Sequence, residues 1–232
     1  MFNTGPVISR PIAALYIVGI FFFSAGAFAD EASELGDKLL SAMGGADAWK
    51  DTKTVHSLAV NHHPQARLPY IQEYWYFTDR IEHVVTINNH DMDRKRAYTK
   101  DGGYSYLRGE SRPFDEERMA NEIQSWHRSV YRKLLLLARK DPALQLTIAD
   151  DGRLEFMDGD RFIGWLMVAE DGTPIQHGGS EDRASHTNFG ALMEFGDINW
   201  PANGHDESGW RFELLSISAL KEEPDIDKNP PE

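Results

Sequence analysis

Cysteine is absent from the 232 residues of this chain. That excludes disulfides, thiolate metal ligands, a cysteine nucleophile and the lipidated cysteine of a lipoprotein. The fold must rest on its own core, which a domain of about 200 residues can supply. Basic charge is scarce as well, with 24 Lys and Arg against 37 Asp and Glu and a net charge of −13. Such a surface repels phosphate backbones, so nucleic acid is not an expected partner. Beyond residue 29 no long apolar run occurs, which argues against a later membrane-spanning helix. Glycine-rich phosphate loops, a G-x-S-x-G serine and an H-E-x-x-H pair are missing too. With them go the commonest signatures of nucleotide, serine-hydrolase and zinc-protease chemistry. Asp225-Ile-Asp-Lys-Asn229 opens like a calcium loop, but Pro230 stands where that loop needs glycine.

The first residues carry an export signal. Arg10 supplies positive charge, residues 12–23 are almost uninterruptedly apolar, and Ala27-Phe28-Ala29 has the small-x-small form of a cleavage site. Residues 1–29 are therefore expected to be a signal peptide cleaved after Ala29, followed by a single domain over residues 30–220. Three prolines and alternating charges predict a disordered tail over 221–232.

The period of the apolar residues sorts the remainder. Residues 30–43 place Leu35, Leu39, Ala42 and Met43 on one helical face with acidic residues leading, and Gly44-Gly45 ends the helix. Strand patterns follow at 54–61, 70–77, 80–88, 94–99 and 104–108, the last two flanking the hairpin signal Lys100-Asp-Gly-Gly103. Over 115–140 the period changes: Met119, Ile123, Trp126, Val130, Leu134 and Leu137 recur every three or four positions, which predicts one long helix. The β pattern returns at 153–156, 161–169, 192–197 and 210–219, with 202–209 read as a loop. Roughly nine successive strands, with helices at the front and middle, predict an α+β protein built on one antiparallel sheet. A sheet that wide tends to curl.

Two groups of side chains invite a functional reading. Adjacent His62 and His63 suggest a metal-assisted envelope hydrolase, with His56, His83, His90 and Asp91 as further ligands in space. Against it, neighbouring strand residues point to opposite faces, Pro64 ends the strand, and no close ligand spacing completes a site. No metal and no cofactor are expected. The second group is apolar. Trp75 and Phe77 share one strand face with Ile71; Ile163, Trp165 and Met167 share another; Trp126 and Leu134 lie on the helical stripe. These are the candidates for lining an apolar ligand cavity, with a filled aromatic core as the alternative. Arg128, Arg132, Lys133, Arg139 and Lys140 complement the dipole of the long helix and offer contact with anionic head groups.

Several short motifs carry a resemblance. The helix ending in Gly44-Gly45, the turn Ala46-Asp-Ala-Trp-Lys50 and the strand opening Lys53-Thr-Val55 lead into Lys100-Asp-Gly-Gly-Tyr-Ser-Tyr-Leu107. Val168-Ala-Glu-Asp-Gly-Thr-Pro174 and Phe195-Gly-Asp-Ile-Asn-Trp-Pro201 follow. Together they resemble the outer-membrane lipoprotein-sorting (LolA/LolB-like) superfamily of periplasmic proteins over most of residues 33–220. The resemblance implies a curved antiparallel β-sheet, an incomplete β-barrel, with helices covering the concave face. It implies a periplasmic, non-catalytic carrier or sensor holding the acyl chains of a lipid or acylated lipoprotein in an apolar cavity, with peripheral membrane contact. A protein-binding module on the same fold, with an envelope protein as partner, is the alternative beside the hydrolase.

Overall fold

A computed structural model describes residues 18–89, 92–181 and 185–229. His90 and Asp91, named above with the histidine pair, lie outside the described residues, as do the first 17 residues of the expected leader. Helix α1 (Val18–Ala42) runs unbroken through the junction at which cleavage is expected. No helix among the described residues is long and apolar enough to cross a membrane. Gly44 and Gly45, at φ 109° and 81°, turn the chain away from α1. At Gly44 a β-carbon would fall 2.6 Å from the Asp197 carbonyl oxygen, so glycine is needed there for conformation and for space. The short helix α2 (Ala46–Trp49) then buries Trp49 completely.

Two meanders follow, joined by helices. The first comprises β1 (Thr54–His62), β2 (Tyr70–Phe77), β3 (Glu82–Asn89), β4 (Met92–Thr99), β5 (Gly102–Leu107) and β6 (Glu110–Pro113). Helices α3 (Glu116–Arg128) and α4 (Val130–Arg139) lead to β7 (Leu144–Ile148), β8 (Leu154–Asp158), β9 (Arg161–Val168), β10 (Pro174–Gly178) and β11 (His186–Phe189). A hairpin of β12 (Leu192–Phe195) and β13 (Ile198–Pro201) precedes β14 (Asn203–Asp206) and β15 (Arg211–Leu220). Thirteen strands form one antiparallel sheet in the order β6-β5-β4-β3-β2-β1-β15-β14-β11-β10-β9-β8-β7. The first and last strands, β1 and β15, pair along their length near its middle. The first meander runs outward from that pair to the edge β6, and the second begins at the opposite edge with β7 and returns inward to β15. The sheet is curved and not closed, an α+β incomplete barrel. The segment α3–α4 connects one edge to the other, and packs with α1 and α2 over the concave face.

The expected long helix is two. Ser129, at φ −62° and ψ 151°, breaks it, and its hydroxyl oxygen accepts from Arg132 N at 3.1 Å to start α4. Apolar periodicity passes straight through such a break, because both halves bury the same stripe. Beneath them Leu39 and Met43 of α1, Leu134 to Leu136 of α4, and Tyr76, Phe156, Ile163 and Leu166 of the sheet form the main core.

A second buried layer lies on the other face. Phe77, Val84 and Ala97 are buried but separate from the main core. Residues 221–229, expected to be disordered, take no regular structure yet lie over this layer. Arg80 grips Glu223, Lys228 bonds Glu82 and stands 4.6 Å over the Phe77 ring, and Lys95 reaches Asp227 at 3.0 Å. Charge alternation marks this tail as one that pairs with the sheet.

An aromatic cavity on the concave face

Register decides which side chains face inward. Ser57, Ala59 and Asn61 of β1 stand opposite Tyr74, Gln72 and Tyr70 of β2. Opposed residues share a face, and all but Tyr70 of these line a cavity of about 290 Å³. Phe212 and Leu214 of β15, Phe189 of β11 and His177 of β10 extend its wall. Val130 and Tyr131, at the start of α4, form its roof. Trp200 arrives from the β12–β13 hairpin, which is tied to the end of α1 through Asn199, whose Nδ2 donates to Ala42 O at 2.9 Å.

Aromatic contacts hold this lining. The Tyr131 ring lies 4.9 Å from Trp200, 5.4 Å from Tyr76 and 6.1 Å from Tyr74, centroid to centroid. Burial pushes its hydroxyl up to about 12, partly opposed by a hydrogen bond with Ser57. Trp210 donates Nε1–H to Asn61 Oδ1 at 3.1 Å, satisfying a polar pair at the cavity wall. The lining is thus mainly aromatic with a few fixed polar atoms, the composition of small-molecule sites. None of the groups named is a nucleophile activated by a neighbouring base.

A polar vestibule adjoins the cavity. Tyr74 and His177 line both, and Asn121, Gln124, Ser125 and Arg128 of α3 line the second space, about 410 Å³ in volume. At their junction the helix break leaves the Arg128 carbonyl free. It accepts from Lys133 Nζ at 2.6 Å, while His177 Nε2 stands 3.1 Å from the same oxygen and 3.2 Å from Nζ. Lys133 is fully buried, and burial, then the charge of Arg128, holds its ammonium well below the ordinary lysine range. Burial, then Lys133, likewise keeps His177 neutral well below its usual range.

The seven apolar residues named from the sequence do not line the cavity. Trp126, Leu134 and Ile163 belong to the filled core; Trp126 stacks on Tyr76 at 5.4 Å and donates Nε1–H to the Phe77 carbonyl at 2.9 Å. Trp75 and Phe77 alternate with Tyr74 and Tyr76, so they point to the opposite face, where Trp75 stacks on His56 at 3.8 Å. Trp165 and Met167 stand opposite Gly178 and Gln176, out of phase with His177 and Leu166, and so also face outward. Trp165 carries Arg153 over its ring at 4.6 Å. Both faces of these strands are buried in places, so hydropathy alone favours the most apolar face. The inward face is the one bearing tyrosines and short polar residues. The signal that finds it is the phase of Tyr70, Gln72, Tyr74 and Tyr76, an alternation of amphipathic side chains.

The histidine pair separates. His62 shares its outward phase with His56, Leu58 and Val60, with Glu213 4.0 Å away; His63 Nδ1 accepts from Gln65 N at 3.1 Å in the following turn. Among the described residues no three His, Asp or Glu side chains gather closely enough to hold a metal ion.

The open α+β barrel thus defines the architectural class, and the aromatic cavity lies on its concave face. No protein-family model matches the chain, and no curated protein matches its sequence. A solved structure described as a DUF1329 family protein from Desulfovibrio piger is similar at 11% identity with a TM-score of 0.49. The likeness covers 83% of this chain and 93% of that one. At that level it carries nothing about function.

Proposed function

We propose that this is an exported, periplasmic protein that carries or senses a lipid or an acylated protein without transforming it. The observation that carries this reading is the aromatic cavity of about 290 Å³ between the concave face and α4, opening onto a polar vestibule. An apolar chain placed there leaves water, gaining roughly 0.8 kcal/mol per buried CH₂, and needs no catalytic group. The volume is near the low end of the roughly 300–1,000 Å³ usual for small-molecule sites, which suits one chain segment better than several. The segment α3–α4, bent at Ser129, serves as the cover, and movement about that bend releases the cargo. The resemblance of the short motifs to the lipoprotein-sorting superfamily and the expected leader support the same reading. Native mass spectrometry of protein gently extracted from its own envelope tests it. A lipid adduct in stoichiometric amount is expected, and protein free of any adduct under those conditions contradicts it.

A further inference from the structure

Outside the aromatic cavity the concave face carries more positive than negative charge, although Arg118 also lies 4.4 Å over the Phe114 ring. On β4, Arg94 and Arg96 stand opposite Ile87 and Val85, which stand opposite Gln72 and Tyr74 of the cavity wall. The two arginines therefore lie on the cavity's own face, two strands away, about 10 Å along the hydrogen-bonding direction. Arg118 of α3 joins them from above. One carboxylate among the described residues answers the three guanidinium groups: Glu122 lies 3.4 Å from Arg96 and 3.7 Å from Arg118. Among the described residues no carboxylate pairs with Arg94, and the Nε atoms of Arg94 and Arg96 are buried without a hydrogen-bond partner there. Buried donors of this kind are costly to leave unmade. The excess positive charge occurs in a protein with net charge −13, on the face where the polar vestibule opens.

We propose that Arg94, Arg96 and Arg118 bind the oxyanion, phosphate or carboxylate, of an amphiphile whose apolar chain occupies the aromatic cavity two strands away. This rests on the carrier reading and names the cargo's polar end. Guanidinium groups suit it because their forked donors pair with two oxyanion oxygens at once, and an anion would offset the crowding of like charges. Burial and the nearby Arg96 and Arg118 already hold the Arg94 guanidinium below its ordinary range, in keeping with that crowding.

The test is calorimetric titration of the full-length processed protein with decyl phosphate, decanoate, decanol and inorganic phosphate. Both amphiphilic anions are expected to bind at least about tenfold more tightly than decanol. That advantage should shrink in Arg94→Gln, a change that breaks no ion pair among the described residues, and in Arg118→Gln as a second variant. Circular dichroism establishes that each variant is folded, and the comparison of probes on the unaltered protein does not depend on either. Equal affinity for decanol and the anions overturns the inference and leaves the carrier reading standing, as does an advantage unchanged in both folded variants. Inorganic phosphate binding as tightly as decyl phosphate overturns it in favour of a free-anion site. If no probe binds, both this inference and the carrier reading fall.

Discussion

At Gly178 a β-carbon would fall 2.3 Å from the indole of Trp165, which lies flat across that position on the outer face. Gly178→Ala should therefore displace the ring and destabilise the protein by about 1–3 kcal/mol, the cost usual for overpacking, as measured by urea denaturation. The same contact shows why residue-level reading from hydropathy goes astray. Trp165 is apolar, buried and aromatic, as a cavity wall would be, but it serves to cover a glycine on the far side of the sheet. Protonation offers a second test at this scale. His177 and His83 are kept neutral chiefly by burial, aided by Lys133 and Arg96 respectively. His127 is pulled down to about 4 by burial, then by Arg161 and Arg132. Unfolded, all three titrate near about 6.5. Below that pH the unfolded chain binds protons that the folded chain refuses, so stability falls as the pH drops, for His127 down to about 4. The melting temperature should decline from pH 6.5 to 5, and His177→Gln, which removes one such ring, should decline less steeply. A flat profile over that interval would contradict the assignment.

Among the elements, the break at Ser129 and the tail bear most weight. Ser129→Ala removes the acceptor that starts α4 and should lower stability by about 1 kcal/mol, whereas Ser129→Asp, an equally good cap, should leave it nearly unchanged. Deleting residues 221–232 strips Lys228 from Phe77 and Glu223 from Arg80. The expected result is a melting temperature lower by a few degrees and new binding of a hydrophobic dye at the exposed outer layer. Several elements were legible in the sequence: β2 matches its expected bounds, and β1, β4 and β9 match within two residues. The hairpin across Gly102 is also where its turn residues put it. Strands β6, β7, β10, β11, β13 and β14 were not foreseen, and each has only four or five residues. Over so short a span alternation has too few repeats to stand out, and pairing with neighbours already in place decides the outcome. Residues 221–229 take no regular structure, and their ion pairs with Arg80, Glu82 and Lys95 depend on charges the sheet supplies, which the local sequence does not show.

For the whole molecule, the topology explains why a cavity exists at all. Two meanders flank the central β1–β15 pair, and the single helical connection between the far edges crosses the concave face. A covering element that spans a curved sheet must bend; it does so at Ser129, and the space remaining beneath Tyr131 and beside Trp200 is the cavity. Sheet class and curvature followed from strand count and order. The cavity's own residues did not, because they come from β1, β2, β10, β11, β15, α4, the hairpin and the β14–β15 turn that carries Trp210, and only the strand order brings these together. The central claim, that this space accepts an apolar chain, is tested most directly by filling it. Ala59 lines the cavity on β1, and Ala59→Trp would occupy it from the wall. With a fluorescent fatty-acyl probe, the unaltered protein should show saturable binding of one chain per molecule. The folded Ala59→Trp protein should lose at least about tenfold in affinity. Binding of equal strength by both proteins would place the chain elsewhere and contradict the account.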